Sequence, residues 1–197
     1  MIRQDFLTPN EYSRPGNMIK MGTSIILKKV EGLVFHWVEN PGTSAQFNRN
    51  WFEARKDGNH GYGSAEYIVD HSEIIQCMPN DEIAFHVGAG PFPSSRYTAT
   101  ALREFRTYPS ARTIGIELCH PDWTGRFEPE VLWRAIWLGA GLCLQYDLDP
   151  FSDCWRHFDI TEKNCPKYWV KHPNGFTEFK RDMVQAHSRL AAVKARR

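Results

Sequence analysis

Residues 32–38, which read Gly-Leu-Val-Phe-His-Trp-Val, form the segment that most constrains the fold. The run is short, apolar and rich in β-branched and aromatic side chains, so it predicts a buried strand. A Pro-Gly pair ends the strand soon afterwards, and Thr43 or Ser44 can cap a helix that runs to about residue 56. A buried strand followed by a helix indicates an α/β architecture.

The rest of the chain alternates between strand-like and helix-like patterns. Strands are predicted at 83–87 and 113–119, a hairpin at 65–69 and 73–78, and helices at 96–106, 129–146 and 176–194. Residues 1–30 contain turn formers and read as an extended lead-in packed on the domain. We therefore predict one α/β domain over 1–197, with a central mixed β-sheet flanked by helices.

Composition excludes several classes of protein. The formal net charge is +1, which predicts no nucleic-acid partner, because phosphate contacts need a strong local excess of Lys and Arg. No apolar run approaches the roughly 18–20 residues that span a bilayer, so no membrane insertion is expected. The N-terminus lacks the apolar stretch of a signal peptide, which predicts synthesis in the cytoplasm.

Cysteine usage does not suggest a disulfide framework, because the number is odd and the spacing irregular. No disulfide is therefore predicted. Four of the five cysteines read as small buried hydrophobes, namely Cys77, Cys119, Cys143 and Cys154.

The fifth cysteine lies in residues 156–166, the segment richest in chemistry. His157 and Cys165 are eight positions apart, with Lys163 two residues before the cysteine. Imidazole and thiolate are preferred zinc ligands, and three protein ligands with an open fourth position make a catalytic site. His36, in the middle of the first strand, is the natural third ligand. On these residues alone a second reading stays open, in which His36 is a core histidine and Cys165 a buried thiol.

An ordered series of motifs settles the choice by resemblance. The series comprises Tyr12-Ser13-Arg14-Pro15-Gly16, His36-Trp37, Asn40-Pro41-Gly42, Ser64-Ala65, Tyr67-Ile68-Val69, Glu73-Ile74-Ile75-Gln76-Cys77, His86-Val87-Gly88, Ile114-Gly115-Ile116-Glu117 and His157 to Tyr168. Across nearly the whole chain it resembles type 2 N-acetylmuramoyl-L-alanine amidases, which share their fold with peptidoglycan-recognition proteins. The likeness is strongest to lytic amidases of phages and prophages of Gram-positive bacteria.

The resemblance implies a zinc-dependent hydrolase that cleaves peptidoglycan between N-acetylmuramic acid and L-alanine. His36, His157 and Cys165 match the family's ligands for one zinc ion per chain. Glu117 matches the general base of many members, and Lys163 matches the lysine that stabilises the oxyanion.

Two further positions bear on substrate binding. His86 matches a histidine of the substrate groove, and Glu66 is expected as an extra carboxylate at the cleft rim. Ala65 stands where some relatives place a catalytic tyrosine, which fits a mechanism based on glutamate. Tyr67 is expected to face the core and is given no catalytic role.

Competing functions remain for the structure to address. One is a peptidoglycan-recognition module that binds muropeptide without cutting it, and another is a metal-free cysteine peptidase using Cys165. Pro166 disfavours the peptidase, since such nucleophiles prefer a helix N-terminus. As an amidase, the chain is expected to act as a monomer on peptidoglycan, to carry no wall-binding domain, and to reach the wall through a holin-type or other non-classical exit.

Overall fold

Strand β4 (Gly32–Trp37) is buried along its whole length, as its sequence predicted. The computed structural model describes residues 1–87 and 108–196 of the chain, so the helix predicted at 96–106 lies outside the described residues. β4 pairs in parallel with β7 (Thr113–Leu118) on one side and with β8 (Cys154–Arg156) on the other. A strand with neighbours on both sides and layers on both faces needs apolar residues throughout, which explains its unbroken apolar run.

The remaining strands extend this sheet or lie beside it. They are β1 (Ile2–Gln4), β2 (Met18–Met21), β3 (Ser24–Leu27), β5 (Tyr67–Val69) and β6 (Ile74–Gln76). Six strands form one sheet in the order β1-β6-β5-β7-β4-β8, while β2 and β3 form a separate hairpin. Within the six-stranded sheet, the β5–β6 pair is antiparallel and the other described pairs are parallel, so the predicted hairpin and the predicted mixed sheet are confirmed.

Helices cover both faces of the sheet. They are α1 (Ala45–Glu53), α2 (Pro129–Tyr146), α3 (His157–Thr161), α4 (Lys167–Lys171) and α5 (Pro173–Lys194), with 3-10 turns at Ala54–Asp57 and Pro109–Ala111. α2 and α5 enclose the larger core against β4 and β7, and α1 lies on the opposite face over β5 and β6. Within the described residues, none of these helices is both long and apolar enough to cross a membrane.

The prediction of a strand at 83–87 is wrong, because this segment forms no strand. Its backbone N–H groups donate to scattered partners, which are the Gly16 carbonyl and the hydroxyls of Ser64 and Ser110. Because these acceptors do not lie along one neighbouring strand, the segment satisfies its polar backbone without joining the sheet. It covers the face of β7 that carries the candidate site.

The lead-in contains more regular structure than an extended tail. β1 pairs in parallel with β6 and forms an outer strand of the sheet. Near the end of the lead-in, the Lys28 side chain reaches into the interior and is 1% exposed. The first thirty residues therefore contribute to the folded core.

Candidate metal centre

Three parallel strands end at the same edge of the sheet, and His36, Glu117 and His157 lie there. His36 is the penultimate residue of β4 and pairs in register with Glu117 of β7. His157 follows β8 directly and begins α3. Clefts at the carboxyl ends of parallel strands are the usual location of binding sites in α/β sheets.

A buried ion pair fixes the start of α3, and with it His157. The Asp159 carboxylate accepts a hydrogen bond from the Arg156 backbone N–H at 2.9 Å and pairs with the Arg156 guanidinium at 2.6 Å. The same guanidinium donates to the Trp169 carbonyl at 2.9 Å. Because these bonds hold both the chain before His157 and the first turn after it, the imidazole has little freedom to move.

The three predicted ligands converge. Nδ1 of His36 lies 3.1 Å from Nδ1 of His157 and 3.7 Å from Sγ of Cys165, and all three donor atoms lie within 4.8 Å of one another. A tetrahedral zinc, with bonds of about 2.05 Å to nitrogen and about 2.3 Å to sulfur, separates its ligands by about 3.3–3.6 Å. The separations of 3.1 and 3.7 Å are close to this range, whereas the 4.8 Å span of the whole set is wider, so the donor set fits zinc in its chemistry and in two of its separations.

Charge at the site also fits a bound cation. Burial, together with the neighbouring His157 and His86, lowers the pKa of His36 well below its usual value, so its ring is neutral and can donate a lone pair. Burial raises the pKa of the Cys165 thiol. A buried thiolate needs a cation beside it, and a metal ion held by His36 and His157 would supply that charge.

His86 contacts the Nε2 side of the His36 ring, away from the nitrogen that faces His157 and Cys165. The sequence analysis had expected His86 in the substrate groove. Its Nδ1 lies 3.0 Å from Nε2 of His36, and its side chain is 0% exposed. The ring packs directly on Gly115, where a Cβ would lie 2.4 Å from the His86 Cγ. β7 and His36 enclose the His86 ring, yet His86 is also among the residues that line the cleft, so its role in substrate binding stays a prediction.

The predicted position of Glu66 at the cleft rim is wrong. Its carboxylate is fully buried, where it pairs with Lys28 at 2.5 Å and accepts from the Gly115 N–H at 2.7 Å. Burial raises the pKa of Glu66, while Lys28 opposes the rise. A carboxylate with these partners holds the lead-in against the sheet and is out of reach of a substrate.

The Glu117 side chain is enclosed, and one of its carboxylate oxygens accepts no hydrogen bond from any described residue. Its Oε2 is buried and has no hydrogen-bond partner among the described residues. Burial raises the pKa of Glu117 to about 8, although the nearby Lys163 opposes the rise. A carboxyl group with a pKa near neutrality is suited to accepting and releasing a proton.

Lys163 lies at the cleft edge with its side chain half exposed. Its Nζ is 3.3 Å from Oε2 of Glu39. Burial opposes the charged amine, but Cys165, Glu39 and Glu117 outweigh it and raise the pKa of Lys163. The amine is therefore a cation at neutral pH and faces the same cleft as Glu117.

The cleft has a volume of about 270 Å³ and includes residues that the sequence analysis missed. Trp51 and Arg55 project into its wall from α1 and the following 3-10 turn, and Glu39 contributes at its edge. The spacing of Trp51 and Arg55, four residues apart on one helical face, is the signal that could have found them. Tyr67, by contrast, is buried as predicted, and its hydroxyl donates to Asn80 at 2.8 Å.

The other four cysteines are buried, as their sequence context predicted. Cys143 of α2 and Cys154 of β8 lie together, with their sulfur atoms 3.8 Å apart. They belong to the larger core between the sheet and the two long helices.

Comparison of the sequence with known families finds a match over residues 27–168 to the Amidase_2 family, described as N-acetylmuramoyl-L-alanine amidase. A probable N-acetylmuramoyl-L-alanine amidase of Bacillus licheniformis is 32% identical over 91% of this chain and 46% of the relative. The N-acetylmuramoyl-L-alanine amidase BlyA of Bacillus subtilis strain 168 is 31% identical over 99% of this chain and 50% of the relative. The chain thus spans about half the length of the curated relatives it matches.

Solved structures share the fold. A mutant endolysin from Bacillus subtilis matches with a TM-score of 0.68 at 20% identity, over 93% of this chain and 98% of that chain. The catalytic domain of PlyG matches with a TM-score of 0.70 at 16% identity, over 95% of each chain. These matches confirm the predicted fold class, a mixed sheet flanked by helices.

Proposed function

Because the chain belongs to the N-acetylmuramoyl-L-alanine amidase family, we propose that it hydrolyses the amide bond between N-acetylmuramic acid and L-alanine in peptidoglycan. The observation that carries the proposal is the convergence of His36, His157 and Cys165 within 4.8 Å, beside the enclosed carboxylate of Glu117. This combination supports a site for one zinc ion next to a group that can move a proton.

His36, His157 and Cys165 would hold the zinc ion through Nδ1, Nδ1 and Sγ. A zinc ion with three protein ligands keeps a fourth position open and acts there as a Lewis acid, lowering the pKa of water and polarising a carbonyl. The spacing of the donors and the neutral state of His36 support this assignment.

Glu117 would transfer a proton during hydrolysis, and Lys163 would stabilise the negative charge that develops on the carbonyl oxygen. Oε2 of Glu117 accepts a proton from water as the water oxygen bonds to the lactyl carbonyl carbon, and later gives it to the alanine nitrogen as the carbon–nitrogen bond breaks. The Lys163 amine donates a hydrogen bond to the carbonyl oxygen while that oxygen carries negative charge. The products are a muramic acid with a free lactyl carboxylic acid and a peptide with a free amine, so the two hydrogens of the water are accounted for.

The buried thiol weighs against a peptidase mechanism. Cys165 is 2% exposed and burial raises its pKa, whereas a cysteine nucleophile needs an accessible thiolate. Cys165 is better suited to holding a metal than to attacking a substrate.

In this proposal the partner is peptidoglycan, one chain carries one zinc ion, and the chain acts as a monomer. The absence of a membrane-spanning helix from the described residues is compatible with release to the wall after synthesis. Structural neighbours that include an endolysin support that route.

The deciding experiment is mass spectrometry of the fragments released from purified cell wall, with and without a zinc chelator. We expect free amino-terminal L-alanine on the released peptides, intact glycan strands, and loss of both products on chelation. Retained binding to the wall without any cleavage would instead indicate a recognition module. Cleavage that survives chelation would contradict the role of zinc.

A further inference from the structure

Arg55 is a cation in the wall of the cleft without a counter-ion. Arg3, Arg14, Arg49 and Arg156 each form an ion pair with a carboxylate, whereas Arg112 and Arg134 resemble Arg55 in being partly buried without an ion pair to a described residue, but neither lines this cleft. Arg55 forms none with any residue that the structure describes, although it is partly buried. Burial without such a partner lowers the pKa of Arg55.

The guanidinium is nevertheless held in place. Its Nη1 donates to a run of backbone carbonyls at His60, Gly61 and Tyr62, the last two at 3.3 and 3.4 Å. Its Cζ lies 5.5 Å from the centre of the Trp51 ring. Gly63 lies close on another side, where a Cβ would come within 3.0 Å of the same Cζ.

These contacts leave two of the three guanidinium nitrogens without a hydrogen-bond acceptor among the described residues. Nε is enclosed and has no acceptor within the described part of the chain, and none of the described atoms accepts from Nη2. An enclosed donor without an acceptor destabilises the folded protein, so it is retained where a ligand supplies the acceptor. Carboxylates are the acceptors that guanidinium groups bind with matching planar geometry.

The position of Arg55 identifies the ligand. It lines the same cleft as Glu117, His157 and Lys163, and Lys163 already has Glu39 as a partner. In the proposed substrate the lactyl carboxyl group is tied up in the scissile amide, so only the stem peptide offers a free carboxylate. We propose that Arg55 forms a subsite that binds a carboxylate of the stem peptide and thereby selects substrates in which that carboxylate is not amidated. This inference rests on the proposed function.

The test uses pairs of muropeptides that differ only in whether one stem-peptide carboxylate is free or converted to a carboxamide. Both kcat/KM for cleavage and the affinity of the released peptides are measured for the parent protein, Arg55→Gln and Arg55→Lys. Lys56→Gln is the matched control, because Lys56 is the next residue, has the same charge, pairs with Glu53 and does not line the cleft.

For one such pair, we expect the parent to favour the free carboxylate by about 10- to 100-fold, mainly through KM, as is usual for a charge-assisted hydrogen bond. Arg55→Gln should abolish that preference, so that both members of the pair are cleaved with the same kcat/KM, and Arg55→Lys should retain part of it. Lys56→Gln should behave as the parent does.

Equal loss on both members of every pair, or an undiminished preference in Arg55→Gln, would overturn the subsite. Failure of the proposed function has a different signature. In that case the parent would cleave neither member, whereas the affinities of the two peptides would still report whether Arg55 recognises the carboxylate.

Discussion

The two faces of β4 carry opposite kinds of side chain within one residue of each other. Phe35 is fully buried against the rings of Trp169, Phe176 and Phe179, with centroid distances of 6.5, 6.3 and 4.9 Å. His36 points to the other face and contacts two imidazoles and a thiol. Successive residues of a strand face opposite sides, so the same short segment supplies both the core and the site.

The comparison teaches how this fold separates stability from chemistry. On the Phe35 face, most side chains are apolar and pack against one another, and the Tyr67 hydroxyl among them donates to Asn80. On the His36 face, buried polar groups depend on one another, and Oε2 of Glu117 is left without a partner among the described residues. Substitutions on the first face should therefore change folding, and those on the second should change metal binding and turnover.

The largest effect is expected for His36→Ala. Removal of a ligand should release the zinc ion and lower the rate of wall lysis by about 10³-fold or more, since a catalytic metal supplies several kcal/mol of transition-state stabilisation. Elemental analysis and lysis assays measure both effects. Unchanged zinc content would remove His36 from the ligand set.

Glu117→Gln should separate catalysis from metal binding on the same face. The amide keeps the size of the side chain but cannot take up a proton, so kcat should fall by about 10²–10⁴-fold with zinc content and melting temperature retained. Glu178→Gln on α5 provides a control with the same chemical change on the opposite face. A parental lysis rate for Glu117→Gln would show that another group acts as the base.

Phe35→Ala should show the reverse behaviour. Loss of a fully buried ring should lower the free energy of unfolding by about 3–5 kcal/mol, measured by denaturant titration. The folded fraction should still bind one zinc ion per chain. Loss of zinc from protein that remains folded would break the separation between the two faces.

The smallest effect concerns His86 as a positioning residue. A metal bound at Nδ1 of His36 leaves the proton on Nε2, where it can be donated to Nδ1 of His86 at 3.0 Å. His86→Asn should weaken zinc affinity by about 10- to 100-fold, measured by competition with a chelator. Val87→Ala is the packing control, because it should lower stability without weakening zinc binding.

Much of the fold could be predicted from sequence because the longer elements carry strong patterns. The helix predicted at 129–146 coincides with α2, and the strand predicted at 113–119 contains β7. β8 was missed because three residues, Cys154–Arg156, are too few to show a period. The strand predicted at 83–87 has a strand-like composition, but its bonding partners come from three distant parts of the chain.

The site was predicted unevenly for a physical reason. His36, His157 and Cys165 are of residue types that few roles other than metal binding explain together, and the structure brings them into contact range. Burial of His86 and Glu66 depends on which neighbours cover them, and local sequence does not contain that information. The only sequence signal for Arg55 is its spacing of four residues from Trp51, which does not separate it from an ordinary solvated helical arginine.

The buried pair of Lys28 and Glu66 has a consequence for protein engineering. A designer who transplants this module into a fusion protein could trim the chain near residue 30, treating the lead-in as a dispensable leader. That cut would remove Lys28 and leave Glu66 buried without its cation. Loss of one partner of a buried ion pair lowers the free energy of unfolding by about 3–5 kcal/mol. The segment to transplant therefore includes Lys28. Because β1 pairs with β6 in the sheet, that segment should begin no later than Ile2.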